Sequence, residues 1–451
     1  MGVEARRRRA STPFQEQICS CWRCAAQPYG RLKWYNLLNM HVLHIAWEYP
    51  PHIVGGLGRH VAELLPALAS QGVCPAVVTP RLRDGPEAEL SDGVAVRRVP
   101  APPIPDADYP TFVARVSRDL VQAASELQET YGRFDLVHAH DWLATEASVQ
   151  LKYQWRVPLI ATIHATERGR GRGGLHSDAA HRINELEWRL TYEAWRVIVC
   201  SHFMASQIHE YFQTPLDKID VVPNGVYISG SPFRDADHWL SFRRRYVADD
   251  ERMVFHVGRI VYEKGLHVLL NAWPAVIARV RARLVIAGTG GYLEPLKAQA
   301  AALGISDRVT FVGFVSDEER DRLYHAADLA IFPSLYEPFG IVALEALANG
   351  CPLIVSDAGG LAEVVQNGIT GLVVRADDPG ELADAITAAL SRPDIARARA
   401  AAALREIREY YTWPRIAAAT AQVYARVLEA WRETEWGQEA SQMSDAAENQ
   451  G

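Results

Sequence analysis

Residues 40–72 read MHVLHIAWEYPPHIVGGLGRHVAELLPALASQG, and this stretch decides the class of fold. Residues 41–47 form a short apolar run of the length that one buried strand requires. After a glycine-rich loop, apolar residues recur at the spacing of one helix face: Val61, Leu64, Leu65 and Leu68. Gly72 stands where a glycine commonly ends a helix. The stretch therefore predicts a strand, a glycine-rich turn and an amphipathic helix.

The same alternation of strand and helix continues along the chain in two groups. The first group has further predicted strands at residues 75–79, 135–139, 159–164, 197–201 and 219–222. The second group has predicted strands at residues 253–258, 284–287, 309–312, 329–332, 353–355 and 371–374. Alternating strands and helices form parallel sheets with helices on both faces. The sequence therefore predicts an α/β protein with two Rossmann-like, doubly wound domains that face each other across a cleft.

The predicted division of the chain follows from these two groups. Its parts are a disordered leader at residues 1–39, a first domain at 40–225, a linker at 226–250, a second domain at 251–410, a final helix at 411–436 and a disordered tail at 437–451. Because Met40 directly precedes the first strand, we expect natural translation to begin there. One of the predicted helices begins with Ser316 and Glu319 in the spacing of a capping box.

Composition excludes several classes of protein. In a chain of 451 residues that is 49% hydrophobic, no apolar run reaches the roughly 18 to 20 residues of a membrane helix. Outside the leader there are 40 basic and 52 acidic residues, a balance that disfavours nucleic acid as a partner. The six cysteines are scattered or lie in the leader, which indicates a reducing, cytoplasmic compartment. Cys21 and Cys24 form a CxxC, but no second pair completes a zinc site.

The loop Pro50-Pro-His-Ile-Val-Gly-Gly-Leu-Gly58 joins the first strand to its helix. Glycines let a phosphate approach the backbone, and the N-terminus of a helix offers unpaired N–H groups. A glycine-rich turn can equally serve steric needs alone. The loop matches neither the G-x-G-x-x-G pattern nor a P-loop, which disfavours dinucleotide and P-loop proteins.

Charged side chains follow two strands of the second group. Arg259 and Lys264 are five residues apart in one short loop, so both can reach a single diphosphate. The segment Glu337-Pro-Phe-Gly-Ile-Val-Ala-Leu-Glu345 follows the strand at 329–332. Its two carboxylates can accept hydrogen bonds from sugar and ribose hydroxyls. Three residues offer N–H groups to phosphate at the first turn of its helix: Phe339, Gly340 and Ile341.

Two histidine-containing segments end strands of the first group. They are His138-Ala-His-Asp-Trp142 and Thr162-Ile-His-Ala-Thr166. A histidine at the end of a strand is often a hydrogen-bonded core residue. For His140 and His164 the structural and the functional interpretation therefore both remain open.

In this order, the segments resemble the motifs of the retaining GT-B glycosyltransferases of the family that includes bacterial glycogen synthases. The resemblance extends from Met40 to about Leu428 and is closest to glycogen-synthase-like α-1,4-glucosyltransferases. The matching segments are Trp47-Glu-Tyr-Pro-Pro51, Gly55-Gly-Leu-Gly58, His138-Ala-His-Asp-Trp142, Thr162-Ile-His-Ala-Thr-Glu167, Val257-Gly-Arg259, Glu263-Lys-Gly265 and Glu337 with Glu345. The seven segments in this order are specific evidence for the resemblance, although no single segment is.

The resemblance implies a role for each candidate residue. Glu337 would hold sugar hydroxyls, Glu345 would hold the ribose, and His164 and Asp141 would line a glucose pocket. The residues implied to bind the donor are Gly55, Gly56, Leu57, Arg259, Lys264, Phe339, Gly340, Ile341 and Glu345. Those implied to be catalytic are His164, Arg259, Lys264, Glu337 and Asp141. The final helix would cross back to the first domain, and we expect it to act as the hinge of cleft closure.

The implied function is transfer of glucose from UDP-glucose or ADP-glucose to an α-1,4-glucan or another glycan. The nearest alternative is a mannosyl- or glucosyltransferase that acts on lipid or cell-surface glycan. Further alternatives are a nucleotide-sugar epimerase and a non-catalytic binder of sugar nucleotides. The resemblance implies no metal or other cofactor, because Arg259 and Lys264 would take the place of the cation. Asp106-Ala-Asp108 and Asp235-Ala-Asp237 stand in loops away from strand ends and are interpreted as surface turns. The donor base and the oligomeric state do not follow from the sequence.

Overall fold

The computed structural model describes residues 40–103 and 108–440. The predicted leader, residues 441–451 of the predicted tail, and Asp106 lie outside these ranges. The described chain forms two compact units. The first unit contains the residues up to Thr162, Leu186–Arg196 and the residues from Ala417 onward. The second unit contains Ile163–Glu185 and Val197–Ile416.

The first unit is built on a largely parallel sheet. Its strands are β1 (Met40–Ile45), β2 (Val73–Arg81), β3 (Ala88–Ser91), β4 (Val94–Pro100), β5 (Leu136–His140) and β6 (Leu159–Ile163). They follow the order β3-β4-β2-β1-β5-β6, and only β3 pairs antiparallel. The chain therefore extends the sheet first to one side of β1 and then to the other. The switch point lies between β1 and β5.

Strands β3 and β4 were not predicted from the sequence. They form a hairpin around Asp92 and Gly93, which have φ angles of 50° and 79°. Positive φ at both central residues defines a type I′ turn, and Asp-Gly is a preferred sequence for it. The hairpin lengthens one edge of the sheet.

The helices of the first unit are α1 (Gly56–Ala69), α2 (Tyr109–Tyr131) and α3 (Thr145–Trp155). The apolar stripe predicted for α1 is fully buried at Val61, Leu64, Leu65 and Leu68. Helix α1 begins inside the glycine loop, so its N-terminus lies just after the carboxyl end of β1. The sequence pattern thus correctly predicted the first βα unit.

The second unit contains a six-stranded sheet and a smaller pair of strands. The pair is β7 (Arg196–Val199) and β8 (Ile219–Val221), which run parallel. The sheet consists of β9 (Arg252–Val257), β10 (Ala282–Ala287), β11 (Val309–Gly313), β12 (Leu329–Phe332), β13 (Leu353–Ser356) and β14 (Leu372–Val374). The order β11-β10-β9-β12-β13-β14 is all parallel, and its switch point lies between β9 and β12. Every strand predicted from the sequence is present.

Further helices connect these strands. They are α4 (Glu167–Arg170), α5 (Asp178–Glu193), α6 (His202–Phe212), α7 (Ala236–Arg243), α8 (Leu266–Ile277), α9 (Leu293–Ala302), α10 (Asp317–Ala326), α11 (Ile341–Ala348), α12 (Leu361–Val364), α13 (Pro379–Ser391) and α14 (Pro393–Tyr410). Helix α8 is buried around Trp273 against the sheet. The hydroxyl of Ser316 caps α10 by accepting the N–H of Glu319 at 3.2 Å, as the capping-box pattern indicated.

Helix α7 lies within the segment predicted to be a linker. The indole N–H of Trp239 donates to the carbonyl of His325 at 3.2 Å. Arg243 also pairs with Asp328 at 2.6 Å, so this helix packs on the second unit. The sequence pattern missed it because only eight residues are helical and few of them are apolar.

The last long helix, α15 (Trp413–Arg432), begins in the second unit and continues in the first. In the first unit, the Tyr424 hydroxyl lies 2.7 Å from Nδ1 of His138, and the Trp431 indole donates to the carbonyl of Arg156 at 3.2 Å. The predicted crossing of this helix to the first unit is therefore present. None of the helices described is both long enough and apolar enough to span a membrane.

Candidate active site

The loops that carry the predicted residues leave the sheets beside the two switch points. In the second unit, Lys264 follows β9 and Glu337 follows β12. In the first unit, Gly55 follows β1 and Asp141 follows β5. Open α/β sheets bind ligands at the carboxyl edge where the strand order reverses. In each unit, predicted site residues therefore lie at the edge of the sheet where a ligand is expected to bind.

Lys264 and Glu337 form an ion pair at the edge of the second sheet. The ammonium nitrogen donates to Oε2 of Glu337 at 2.6 Å, and the side chains are 18% and 11% exposed. The Ser334 hydroxyl lies 3.5 Å from the same carboxylate oxygen. Partial burial strengthens such a pair relative to a surface salt bridge. The pair places one cation and one hydrogen-bond acceptor side by side at this edge of the sheet.

Gly265 fixes the direction in which Lys264 points. It has a φ of 67°, a left-handed conformation that glycine adopts most easily. A Cβ atom at this position would overlap the carbonyl oxygen of Pro333. The loop after β9 therefore packs directly against the end of β12. This close approach brings Lys264 to Glu337.

Arg259 lies in the same loop but is less constrained. Its guanidinium is 3.9 Å from Oε1 of Glu263 and is about half exposed. At that distance the pair is weak in water. Arg259 is thus available to an anionic ligand, whereas Lys264 already has a close carboxylate partner.

Glu345 lies inside α11 and is buried. Its Oε1 is 3.1 Å from a guanidinium nitrogen of Arg320, which projects from α10. Burial lowers the pKa of Arg320, but the neighbouring carboxylates, Glu345 foremost, outweigh it and raise that pKa overall. Glu345 therefore has a cationic partner on the neighbouring helix, which fixes the orientation of its carboxylate. Arg320 was not predicted from the sequence.

The N-terminus of α11 follows Gly340, which has a φ of 99°. A Cβ atom on Gly340 would overlap Leu361, so this glycine is needed for both space and conformation. The first N–H groups of any helix lack carbonyl partners within that helix. The N–H groups predicted to face phosphate, those of Phe339, Gly340 and Ile341, lie at this helix start.

His164 lies directly after β6 and belongs to the second unit. Burial, aided by the positive charge of Arg170, lowers the pKa of His164 to about 3. The imidazole is therefore neutral at physiological pH. Nearby, Gly169 contacts Tyr336 so closely that a Cβ atom would overlap the tyrosine hydroxyl. Because Tyr336 precedes Glu337, the loop after β6 is fixed next to the Lys264–Glu337 pair.

The glycine loop of the first unit is organised by Glu48, which the sequence analysis did not single out. Oε2 of Glu48 accepts the N–H groups of Val54 at 2.8 Å and Gly55 at 3.0 Å. A Cβ atom on Gly58 would lie 2.6 Å from that oxygen, whereas one on Gly55 would meet nothing within 4 Å. The loop is thus tightly packed around Gly58, whereas the space around Gly55 is open.

Asp141 follows β5 in an unusual backbone conformation. Its φ is 59° and its ψ is 175°, and its N–H donates to the carbonyl of Thr162 at 2.9 Å. Non-glycine residues adopt such angles at a cost of about 1 to 3 kcal/mol, and they cluster at functional sites. The side chain is buried. This strain supports the prediction that Asp141 is functional.

Three histidines of the first sheet, His44, His138 and His140, lie together in its core. His44 Nδ1 lies 3.1 Å from His140 Nε2, and His138 contacts Tyr424 and Thr162 at 2.7 Å each. Ring nitrogens of these three histidines come within 4.8 Å of one another, as in groups that hold metal ions. Their nitrogens largely bond to one another and to hydroxyl groups. The structural interpretation of His140 is thus the better one.

Asp235 caps a helix. Its carboxylate accepts the N–H of His238 at 2.8 Å at the start of α7 and pairs with Arg234. This is the ordinary role of aspartate at a helix N-cap. Asp237 lies in the first turn of α7, so the prediction of a surface turn at Asp235-Ala-Asp237 is wrong and the segment instead begins a helix. Phe314, which was also not predicted from the sequence, directly follows β11 and is 82% exposed.

Two family profiles of glycosyltransferases match the chain. A family profile described as "Glycosyl transferases group 1" matches residues 238–406, and one described as "Glycosyltransferase Family 4" matches residues 54–229. The chain is 36% identical over 396 residues to an uncharacterized glycosyltransferase of Methanocaldococcus jannaschii, covering 86% of this chain and 99% of that protein.

Two further groups of relatives carry specific names. The chain is 36% identical over 400 residues to a glycogen synthase of Mycobacterium tuberculosis, which covers 85% of this chain and 94% of that protein. It is 32% identical over 358 residues to a D-inositol 3-phosphate glycosyltransferase of Nocardia farcinica, covering 76% and 78%. Among solved structures it is similar to a sucrose-phosphate synthase of Thermosynechococcus elongatus. The TM-score is 0.75 at 25% identity, with coverage of 87% and 100%.

Proposed function

Because this chain belongs to the GT-B glycosyltransferase family that includes the glycogen synthases, we propose that it transfers glucose from UDP-glucose or ADP-glucose to the non-reducing end of an α-1,4-glucan. The anomeric configuration is retained in the proposed reaction. The support for this acceptor is the 36% identity to a glycogen synthase over nearly its whole length. The scattered cysteines support a cytoplasmic location as part of the proposal.

The observation that carries the proposal is the Lys264–Glu337 pair at the switch point of the second sheet. Lys264 and Arg259 neutralise the donor diphosphate, and the start of α11 adds N–H groups. Glu337 accepts hydrogen bonds from the sugar hydroxyls, and Glu345 accepts them from the ribose. Gly56 and Leu57 provide backbone N–H groups from the glycine loop. The N–H of Gly55 is bonded to Glu48, so Gly55 contributes the open space beside the loop.

The proposed chemistry rests on positioning and charge neutralisation. The bond from the glucosyl C1 to the departing phosphate oxygen breaks with oxocarbenium-like character, and the acceptor hydroxyl attacks from the same face. The departing phosphate takes the proton of that hydroxyl, so no carboxylate nucleophile is needed. His164 and Asp141 line the glucose pocket. Since burial lowers the pKa of His164 to about 3, it acts there as a neutral hydrogen-bonding group.

A donor panel tests the function. The purified protein is incubated with UDP-glucose, ADP-glucose, GDP-mannose or UDP-N-acetylglucosamine, each with glycogen or maltooligosaccharides. We expect elongation with one or both glucose donors, and the NMR coupling of the new anomeric proton should indicate the α linkage. Transfer of mannose or N-acetylglucosamine alone would refute the proposed donor. An isomerised donor would indicate an epimerase, and donor binding without turnover a non-catalytic binder.

We further propose that the reaction needs no metal ion, because Lys264 and Arg259 provide the positive charge. Excess EDTA should leave the transfer rate unchanged within twofold. If Mn²⁺ or Mg²⁺ restored a rate that EDTA had abolished, this part of the proposal would fail.

A second candidate concerns the acceptor alone. Relatives named D-inositol 3-phosphate glycosyltransferases, at 32% identity, favour a small polyol phosphate in place of a glucan. The lipid- or cell-surface-directed transferase remains a third candidate. Adding inositol phosphate and glycolipid acceptors to the donor panel distinguishes these possibilities.

A further inference from the structure

Ser201 lies between β7 and helix α6, in a segment that contains none of the predicted site residues. Its side chain is buried. The backbone of Ser201 is extended, with a φ of −154° and a ψ of 160°, and its hydroxyl accepts the N–H of Met204 at 3.1 Å. Ser201 is therefore the N-cap of α6.

The same hydroxyl makes a second hydrogen bond, which a helix cap does not need. It donates to the carbonyl oxygen of Pro338 at 2.6 Å. Pro338 belongs to residues 333–340, the connection between β12 and α11, which we call the Glu337 loop. Ser201 and this loop are both part of the second unit. Because a hydroxyl has one donor and two acceptor sites, one serine can cap α6 and hold the Glu337 loop at the same time.

The bond to Pro338 also sets the direction of a backbone N–H group. The carbonyl of Pro338 and the N–H of Phe339 belong to one peptide group, which is planar and trans. In a trans peptide the carbonyl and the N–H point in opposite directions. The N–H of Phe339 therefore points away from Ser201. It is one of the N–H groups predicted to face phosphate.

Gly360 holds the Glu337 loop from another side. Its N–H donates to the carbonyl of Glu337 at 2.9 Å. A Cβ atom on Gly360 would overlap the carbonyl oxygen of Pro338, so the two segments are in close contact. Two successive carbonyls of the loop, those of Glu337 and Pro338, are thus both bonded. The peptide groups on either side of Pro338 have a fixed orientation as a result.

Glu363 connects α6 to the segment that contains Gly360. Its two carboxylate oxygens accept the N–H groups of His202 at 2.8 Å and Phe203 at 2.7 Å, in the first turn of α6. Glu363 lies in α12, three residues after Gly360. The segment that bonds to the Glu337 loop therefore also fixes the start of α6. A shift of Ser201 away from the loop would disturb these bonds as well.

The N–H groups at the start of α11 are left for a ligand. Within residues 40–103 and 108–440, neither the N–H of Phe339 nor that of Gly340 donates to an acceptor. Both residues are buried. Nearly all buried N–H groups in proteins have a hydrogen-bond acceptor, and a phosphate is the ligand that the N-terminus of a helix favours. Phe339 follows Glu337 by two residues, so the phosphate attached to the sugar is the nearer one.

We propose that Ser201 is a positioning residue whose hydroxyl aims the N–H of Phe339 at the sugar-linked phosphate of the donor. The inference rests on the proposed donor site. Ser201 acts through the peptide group between Pro338 and Phe339 and does not itself contact the reacting atoms. Negative charge develops on this phosphate as the glucosyl C1–oxygen bond breaks. An N–H that is already held in place stabilises the charge without reorganisation of the protein.

Ser201→Gly tests this role, because it removes the hydroxyl while glycine remains nearly as good an N-cap as serine. We expect UDP or ADP to bind about 10- to 100-fold more weakly, as loss of a hydrogen bond to a charged group predicts. The monophosphate with the same base, UMP or AMP, lacks the sugar-linked phosphate and should bind within twofold of the wild type. Titration calorimetry measures both Kd values. A loss of stability alone would lower the fraction of competent protein and leave the ratio of the two Kd values unchanged.

The matched control is Ser316→Gly. Ser316 also caps a helix of the second unit, α10, but its side chain lies at an exposed position. Both variants lose the hydroxyl of an N-cap serine, so a general effect of a weakened helix start would appear in both. Ser316→Gly should leave the Kd of the diphosphate within twofold of the wild type. Equal weakening of diphosphate binding in the two variants would overturn the proposal. So would an equal loss of monophosphate and diphosphate binding in Ser201→Gly.

Failure of this inference is distinguishable from failure of the proposed function. If the wild-type protein transfers glucose and binds UDP or ADP, but Ser201→Gly retains the wild-type ratio of Kd values, only the positioning role is wrong. If the wild-type protein binds neither diphosphate and uses no nucleotide sugar, the transferase itself is wrong, and the role of Ser201 fails with it.

Discussion

Lys264 is the side chain on which the proposed donor site depends most. In the described structure it donates to Glu337 at 2.6 Å, and most of both side chains is buried. A bound diphosphate would share this ammonium group with the carboxylate. Without the cation, Glu337 would face an anionic donor alone, and repulsion would oppose binding where charge develops during transfer. Loss of the cation and repulsion from Glu337 would therefore both weaken donor binding and slow the transfer.

We therefore expect Lys264→Ala to lower kcat/KM for the glucose donor by about 100- to 1000-fold, as removal of one charge-stabilising group commonly does. Initial rates at several donor concentrations measure the effect. The control is Lys297→Ala, which removes an exposed lysine paired with Glu294 and should change kcat/KM by less than twofold. A Lys264→Ala enzyme within threefold of the wild type would refute the assigned role.

At the residue scale, charged side chains that directly follow a strand could be predicted from the sequence. The residues that orient the predicted side chains and loops could not. Lys264 and Glu337 could be identified because each stands just after a predicted strand, and parallel strands end at one edge. Arg320 could not, because its pairing with Glu345 depends on how α10 packs beside α11. Glu48 was missed for a similar reason, since it acts on the backbone of a loop several residues away. The residue roles assigned from the resemblance stay predictions.

At the scale of elements, the glycine loop between β1 and α1 contains one glycine that packs against the protein and one that borders open space. Gly58 is in contact with Glu48, whereas the space around Gly55 is open. Both have negative φ, so alanine is allowed by the backbone at either position. A methyl group at Gly58 would disturb the protein, and one at Gly55 would disturb only a ligand that approaches the loop.

We expect Gly58→Ala to lower the free energy of unfolding by about 1 to 3 kcal/mol, the usual cost of overpacking. Gly55→Ala should leave stability within about 0.5 kcal/mol of the wild type but raise the donor KM. Urea denaturation and donor titration measure the two quantities on the same pair of proteins. If Gly55→Ala left the donor KM unchanged, a role of this loop in binding the diphosphate would be disproved.

The histidine core between β1, β5 and α15 predicts acid sensitivity. Burial, followed by the charge of His60, lowers the pKa of His44 to about 3, against an ordinary value of 6.5. Between these pH values the unfolded chain binds a proton at His44 that the folded protein does not. Stability is therefore complete above about pH 6.5 and falls as the pH drops toward 3. One such group contributes a slope of up to about 1.4 kcal/mol per pH unit.

Urea denaturation between pH 7.5 and 4.5 should show this slope, and His44→Gln should reduce it by about 1.4 kcal/mol per pH unit. Replacement of His181, an exposed histidine, by Gln serves as the control and should leave the slope unchanged. An identical pH dependence for the wild type and His44→Gln would show that His44 is protonated in the folded protein.

At the scale of the whole molecule, the prediction of an α/β GT-B fold is confirmed. The fold could be predicted because strands buried on both faces are continuous apolar runs, which stand out from amphipathic helices. The β3–β4 hairpin was missed although Asp92-Gly93 is a typical turn sequence, because its short edge strand is only partly buried. Helix α7 was missed because its contacts come from distant residues of the second unit.

Helix α15 is the element that the two units share along the chain, and Tyr424 holds its second part to the first unit. The tyrosine hydroxyl and the His138 imidazole are both buried and 2.7 Å apart. Removing the hydroxyl takes away one buried hydrogen bond of His138, whose Nε2 still bonds Thr162, at a cost of about 1 to 3 kcal/mol. We expect Tyr424→Phe to lower the free energy of unfolding by that amount, measured by urea denaturation. Tyr410→Phe, at an exposed position of α14, should have no effect. Equal stability of the two variants would mean that the hydroxyl of Tyr424 does not fasten this helix.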